Sequence, residues 1–203
     1  MSEVKVPRKS IRMDMTAMCD VAFLLLTFFI LTTKFKPDEA VVVDTPTSVS
    51  EIKLPEADIL IITIGDKGQV FFGVDAQPVR YQMLTSIADK YKLDLTEAEK
   101  SEFSLITSFG MPIQSLKAYL NTPPADRAKI KQPGIPIDSL DNQLRDWLLY
   151  SRTANPKLRI AIKGDKAVKY SVTKKVINTL QEQNINKFNF ITGMENMPDV
   201  SKL

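Results

Sequence analysis

The chain of 203 residues carries 27 Lys and Arg against 24 Asp and Glu, a formal net charge of +3, with no histidine and one cysteine. The length suits one domain plus a modest extra segment, and a composition 44% hydrophobic and 25% charged excludes a collagen-like chain, low-complexity disorder and a multi-span membrane protein. Lacking histidine, and with one cysteine, it also excludes the usual zinc and haem ligand sets, His-based triads and an intrachain disulfide.

The charge is unevenly spread. Residues 1–36 hold Lys5, Arg8, Lys9, Arg12, Lys34 and Lys36 against Glu3, Asp14 and Asp20, which accounts for the whole excess and leaves the rest of the chain neutral. A pI near 8.8 is therefore no argument for nucleic-acid binding, which calls for a basic face on the folded domain.

Residues 15–33 read MTAMCDVAFLLLTFFILTT, in which Cys19 and Asp20 are the ionisable side chains and no proline occurs. As a helix this stretch reaches about 28 Å, close to the hydrocarbon thickness of a bilayer. The competing readings are a cleaved signal peptide and a buried soluble helix. A signal peptide has a shorter apolar core followed by a small-residue cleavage site, whereas this segment runs into Lys34-Phe35-Lys36-Pro37. A single transmembrane span is expected. Lys5, Arg8, Lys9 and Arg12 precede it closely and two lysines follow, so the positive-inside rule favours a cytoplasmic tail at 1–14 and a translocated remainder, periplasmic in a bacterium. Cys19 would then stay in lipid, which suits an oxidising compartment on the far side.

Asp20 is the informative residue. A carboxylate within a membrane costs roughly 2.5–3.5 kcal/mol on insertion scales and usually faces a partner or a water path. At 100° per residue Thr16 and Thr27 fall on its stripe, opposite Val21, Ala22, Leu25, Leu26 and Phe29. The bland alternative is snorkelling to the cytoplasmic interface, but aspartate is short and its helical neighbours Thr16 and Ala17 bring no positive charge. A single carboxylate that takes a proton from one side and gives it up to the other is the smallest relay element. One helix cannot enclose such a path, so a partner must line it. Thr27 is a supporting candidate, although a threonine hydroxyl often bonds back to its own helix.

Residues 34–58 mix Pro, Asp, Ser and Thr and read as an extended linker, with the valines at 41–43 able to pair as a short edge strand. An apolar run at 59–64, turn residues at 65–68 and a second run at 69–72 predict a hairpin. Met83, Leu84, Ile87, Ala88 and Tyr91 recur at helical spacing within 79–91. Residues 93–137 read as a helical insertion. In it, Thr96 and Glu99 match a capping box, Pro112 suits the first helical position before Ile113, Leu116 and Leu120, and Pro123, Pro124, Pro133, Gly134 and Pro136 mark a loop. Asp138 or Ser139 is expected to open a helix presenting Leu140, Leu144, Trp147 and Leu148, which Pro156 stops. A strand at 158–162, a Gly164-Asp165-Lys166 turn, a helix at 170–183 and a strand at 187–192 complete the chain. The fold expected is α+β, a small sheet over 59–203 with helices on one face.

No Walker loop, G-x-G-x-x-G, G-x-S-x-G or cysteine pair occurs, so neither metal nor cofactor is expected and nothing in the soluble part reads as an enzyme's active site. Asp165 reads as a turn residue, Asp138 and Asp141 as helix starters, and Trp147 as core because it shares a face with leucines.

The stretches MCDVAFLLLTFFILTT, ILIITIGDKGQVFFG, LRIAIKGDKAVKY and VINTLQEQNINKFNFIT, with the basic tail and a Leu54-Pro55 segment before the domain, together resemble the ExbD/TolR family of inner-membrane proton-channel subunits. The resemblance covers most of the chain, with the ExbD branch the closer in character, and residues 93–137 depart from the compact family pattern. It implies a homodimer whose two spans sit inside a ring of a multi-span partner, ExbB or its TolQ-like counterpart, and Asp20 as the carboxylate that loads and releases protons. It further implies output to TonB and outer-membrane uptake in the ExbD branch, or to the Tol-Pal envelope system in the TolR branch, with Leu54 and Pro55 as candidates for partner contact. A membrane-tethered binding domain, with the span only an anchor, is the reading from a different class.

Overall fold

The computed structural model describes residues 15–33, 40–41, 43–48, 58–127, 129–138, 141–191 and 193–194, with backbone alone at 47, 48, 125, 193 and 194. The chain divides into two compact units, Met1–Pro37 and Asp38–Leu203. The first contains α1 (Met15–Thr32), a helix with no buried residue.

In the second unit, β1 (Thr47–Ser48) is followed by the hairpin β2 (Ile59–Ile64) and β3 (Val70–Val74), then α2 (Gln77–Tyr91), α3 (Glu97–Leu105), β4 (Ser108–Phe109), α4 (Ile113–Leu120) and α5 (Pro124–Arg127). The remainder comprises α6 (Gln143–Ala154), β5 (Arg159–Gly164), α7 (Tyr170–Glu182), β6 (Phe188–Ile191) and β7 (Gly193–Met194). Five strands form one mixed sheet in the order β4-β3-β2-β5-β6, in which β2 runs antiparallel to β3 and parallel to β5, and β6 runs parallel to β5. A separate parallel ladder joins β1 to β7, with Thr47 opposite Gly193.

The period-2 alternation of the strands decides which side chains meet the helices, while Ile59, Thr63, Phe71 and Ala161 on the other face are buried as well. Leu60, Ile62 and Ile64 of β2, Val70, Phe72 and Val74 of β3, and Ile160 and Ile162 of β5 join one core with Val79, Met83, Leu84 and Ile87 of α2, Leu144, Trp147 and Leu148 of α6, and Val176 and Leu180 of α7. Each such side chain contributes about 1.5–3 kcal/mol when removed from water. The parallel crossovers from β2 to β5 and from β5 to β6 both lay their helices on this face, giving the α+β fold that the alternating patterns imply.

The insertion at 93–137 is part of this core rather than an appendage. Its capping box forms as expected: the Thr96 hydroxyl accepts from the Glu99 N–H at 3.3 Å and the Glu99 carboxylate accepts from the Thr96 N–H at 2.7 Å. The helix so started delivers Phe103, and β4 delivers Phe109, into an aromatic group with Phe72 and Trp147 whose centroids lie 4.6–6.1 Å apart. Pairing of β4 with β3 also covers what would otherwise be the sheet's edge on that side.

Several local expectations need correction. Helix α6 opens at Asn142, whose side chain accepts from the Arg145 N–H at 3.2 Å, and not at Asp138. Ile137 and Asn142 first bridge each other, and Pro136 O accepts from Gln143 N, so the chain must turn before it can wind. Asp138 instead holds Lys175 at 2.9 Å, while Ser139 and Leu140 lie outside the described residues. Pro112, at ψ 145°, is still extended and stands just before the helix, which begins at Ile113. Val43 is buried without being in a strand, and the pairing expected of 41–43 falls instead at Thr47–Ser48. Strand β5 continues through Gly164, which the sequence places in a turn, because the whole of β2 offers it a parallel partner.

Candidate functional site

The first unit presents an 18-residue helix of about 27 Å. Apart from Asp20 its side chains are uncharged. Its large apolar side chains stand open, Phe23 at 66% and Leu31 at 85% exposure among them. Leaving such a set in water forfeits roughly 1.5–3 kcal/mol per side chain, so the helix belongs in lipid or against other helices. Its length and apolarity suit a single membrane crossing.

Asp20 lies in the second turn of α1, exposed on the helix surface. No basic residue shares the helix, so charge compensation has to come from a proton or from groups outside the helix. Thr27 sits seven residues along the same stripe, about 10 Å further on. Its hydroxyl donates back to the carbonyls of Phe23 at 3.0 Å and Leu24 at 2.9 Å. Thr32 and Thr33 do the same toward Phe28 and Phe29. Thr27 is thereby satisfied within its own helix and leaves its oxygen lone pairs as acceptors facing the stripe. Thr16 lies one turn before Asp20 on that face. The topology residues Lys5, Arg8, Lys9 and Arg12 and the linker residues Leu54 and Pro55 lie outside the described residues.

In the second unit the carboxylates that the sequence singled out, Asp138, Asp141 and Asp165, have structural partners. The Asp165 carboxylate accepts from Ala167 N–H and Asp44 N–H, both at 2.9 Å, and these two donors, Ala167 first, hold it below the usual carboxylate range. Lys166 N in turn donates to Asp44 O at 2.9 Å, and the Lys166 ammonium reaches the Asp44 carboxylate at 3.2 Å. The turn reading of Asp165 is therefore right but incomplete, since it also fastens the chain segment that leads into the domain. Trp147 is fully buried, as its leucine-rich face predicts.

Sequence reasoning missed the buried polar posts. Arg80 is buried and donates to Ser104 O at 2.7 Å, Val74 O at 2.5 Å and Asp75 O at 2.8 Å; burial lowers its pKa and the neighbouring Asp75 partly restores it. Gln143 accepts from Ile113 N–H at 2.7 Å and donates to Gln114 and Asp141. Asp146 receives Lys90 at 2.6 Å and Tyr91 at 2.5 Å, joining α2 to α6, and burial first and this bond second push the Tyr91 hydroxyl upward. An arginine in an amphipathic helix reads from sequence as a solvated residue, so no local signal marks these positions. All of them tie element to element, and among the described residues no three His, Cys, Asp or Glu side chains converge as a metal-holding group.

The two units thus differ in kind: a bare apolar helix with one carboxylate, and a well-packed domain in which, among the described residues, the buried polar side-chain atoms find hydrogen-bond partners with the exception of Trp147 Nε1. Neither a curated relative nor a solved structure matches the chain. The family model for biopolymer transport protein ExbD/TolR matches residues 7–195, nearly the whole length, and the chain belongs to that family.

Proposed function

We propose that this chain is the proton-carrying subunit of an energy-transducing complex in the bacterial inner membrane, and that it drives TonB-dependent active transport across the outer membrane. The observation that carries this reading is Asp20, a lone carboxylate in an otherwise apolar helix of a biopolymer-transport family member. In lipid the ionised form is costly and the protonated form cheap, so a change of access from one side to the other lets the group load and unload a proton. Two copies, their spans enclosed by an ExbB-like ring, supply the lining that one helix lacks. Proton passage then turns or rearranges the pair, and the domain, held in the periplasm by the basic-inside orientation, hands the work to TonB. The subunit has no turnover chemistry of its own; its polar groups hold helices together.

The test is Asp20→Asn, which keeps shape and polarity but cannot cycle a proton, set beside Asp20→Glu, which can. In cells carrying the multi-span partner, uptake driven by the proton gradient falls to background with Asp20→Asn and survives in part with Asp20→Glu. Normal uptake by Asp20→Asn overturns the reading. Co-purification of the chain with an ExbB-like rather than a TolQ-like partner separates the TonB output from the Tol-Pal output. If replacing residues 15–33 by an unrelated apolar helix preserves activity, the span is only an anchor.

A further inference from the structure

We infer that the unit Asp38–Leu203 is built to carry tension along its strands, with β2, β5 and β6 forming one ladder loaded in shear between the incoming chain and the C-terminal segment. The inference rests on the proton-driven reading for the source of the force and on the sheet topology for everything else.

The chain enters the sheet at the N-terminal end of β2 and leaves it at the C-terminal end of β6. Strands β2, β5 and β6 are parallel neighbours, so entry and exit lie at opposite ends of one ladder. A pull between them acts along the strands. It meets the hydrogen bonds of Ile59–Ile64 against Arg159–Gly164, and of residues 160–163 against Phe188–Ile191, together rather than in succession. Slippage by one residue would turn Leu60, Ile62 and Ile64 out of the core and Ile59, Ile61 and Thr63 into it, so side-chain packing opposes the same displacement. Because β2 is the middle strand of the sheet, its other edge is held by β3 at the same time. Had entry and exit been at one end, the same bonds would open one after another.

The entry point is fastened as such loading requires. Asp58 adopts φ 58°, in the left-handed region that only Asn, Asp and Gly visit readily. Arg159 N–H donates to its carbonyl at 2.8 Å and the Asn155 amide donates to its carboxylate at 2.7 Å, while Asp75 N–H closes on Ile59 O at 3.0 Å. Tension therefore reaches the first rung of the ladder from a residue pinned to β5 and to the turn before it. Two sets of contacts hold the incoming chain at the exit end of the ladder and must yield first: the pairing of Thr47–Ser48 with Gly193–Met194, and the tie of Asp44 to Asp165 and Lys166.

Single-molecule pulling on the full chain in detergent tests this, with Cys19→Ser removing the native thiol and one handle at Pro46→Cys. The second handle is placed at Leu203→Cys, beyond the exit end of β6, or at Asn186→Cys, just before its opposite end. At equal loading rate the first pair ruptures in one main event at roughly twofold or higher force than the second, after a small early opening of β1–β7 and the Asp44 tie. Equal or lower force for the first pair overturns the proposal. The ratio does not depend on Asp20: a twofold ratio alongside normal uptake by Asp20→Asn removes the assumed force source and keeps the shear ladder, and a ratio of one alongside lost uptake removes the ladder alone.

Discussion

Replacing Arg80 by methionine tests whether a buried cation holds the helical insertion to the sheet. Arg80 is 6% exposed, and its guanidinium spans three carbonyls from two places in the fold, Val74 and Asp75 at the end of β3 and Ser104 in α3. Methionine keeps most of the apolar stem and its packing but removes every donor. Hydrogen bonds to a charged group are each worth about 1.5–3 kcal/mol, or roughly 5–9 kcal/mol for three. Against this stands the relief of no longer burying a guanidinium, several kcal/mol by itself, which is the same desolvation that lowers the Arg80 pKa. The difference leaves a destabilisation of about 2–4 kcal/mol. Arg80→Lys, whose point charge reaches fewer of the carbonyls, falls between the two. The assay is urea unfolding of the full chain in detergent, followed by the fluorescence of Trp147, the one tryptophan, which stacks on Phe103 at 5.9 Å and therefore reports the separation of α3 from the core. If Arg80→Met were within 0.5 kcal/mol of the parent, or more stable, the three bonds would only offset the cost of burying the charge, and Arg80 would not secure the insertion.

Three further predictions concern the same unit. Thr96→Ala removes the hydroxyl arm of the capping box and costs about 1 kcal/mol in the same urea titration, with Glu99 left holding one end only. Gly110→Ala places a methyl group 2.3 Å from the buried Phe71 ring and destabilises by about 1–3 kcal/mol, whereas Gly164→Ala, with nothing within 4 Å, is neutral or stabilising; equal effects would refute the packing around Phe71. Asp165, Glu99 and Glu97 are all held below the ordinary carboxylate range, by Ala167 and Asp44 N–H, by Thr96 N–H, and by Lys100 with Tyr81 respectively. A depressed folded pKa stabilises above the unfolded value near 4 and is lost as pH falls through the folded value. Stability therefore declines on acidification below about pH 4, and Asp165→Asn with Glu99→Gln flattens that decline. An unchanged slope in the double variant would show that these bonds are absent in solution.

Much of this molecule is written locally. Asp20 stands out in sequence because one carboxylate in an 18-residue helix of otherwise uncharged side chains needs no tertiary context to be anomalous, and α1, with no buried residue, adds none. The capping box at Thr96 and Glu99 was equally legible, since both partners lie within one turn. The helical spacing in α2, α6 and α7 predicted which faces turn inward, because the period of 3.6 is a property of the backbone alone, whereas the continuous apolar run of β2 marked a strand without choosing its face. Where helices begin proved less readable: at α6 four residues, Asp138, Ser139, Asp141 and Asn142, are all competent caps, and the Ile137–Asn142 bridge selected the last.

Tertiary structure decided the rest, and the reason is sequence separation. Nothing in the composition of residues 93–137 tells an appended helical lobe from a completed core; the meeting of Phe103 and Phe109 with Phe72 and Trp147 does. A two-residue strand such as β4 has no periodicity to detect and exists because β3 offers Phe72 and Gly73 as partners. Arg80 and Gln143 look solvated until the carbonyls and amides they serve, up to 30 residues away, are brought to them. The sequence by itself determined that one apolar helix carries a lone acid. The placement of β2 between β3 and β5, with the chain entering at one end of the parallel ladder and leaving at the other, is set by long-range pairing that no local pattern encodes.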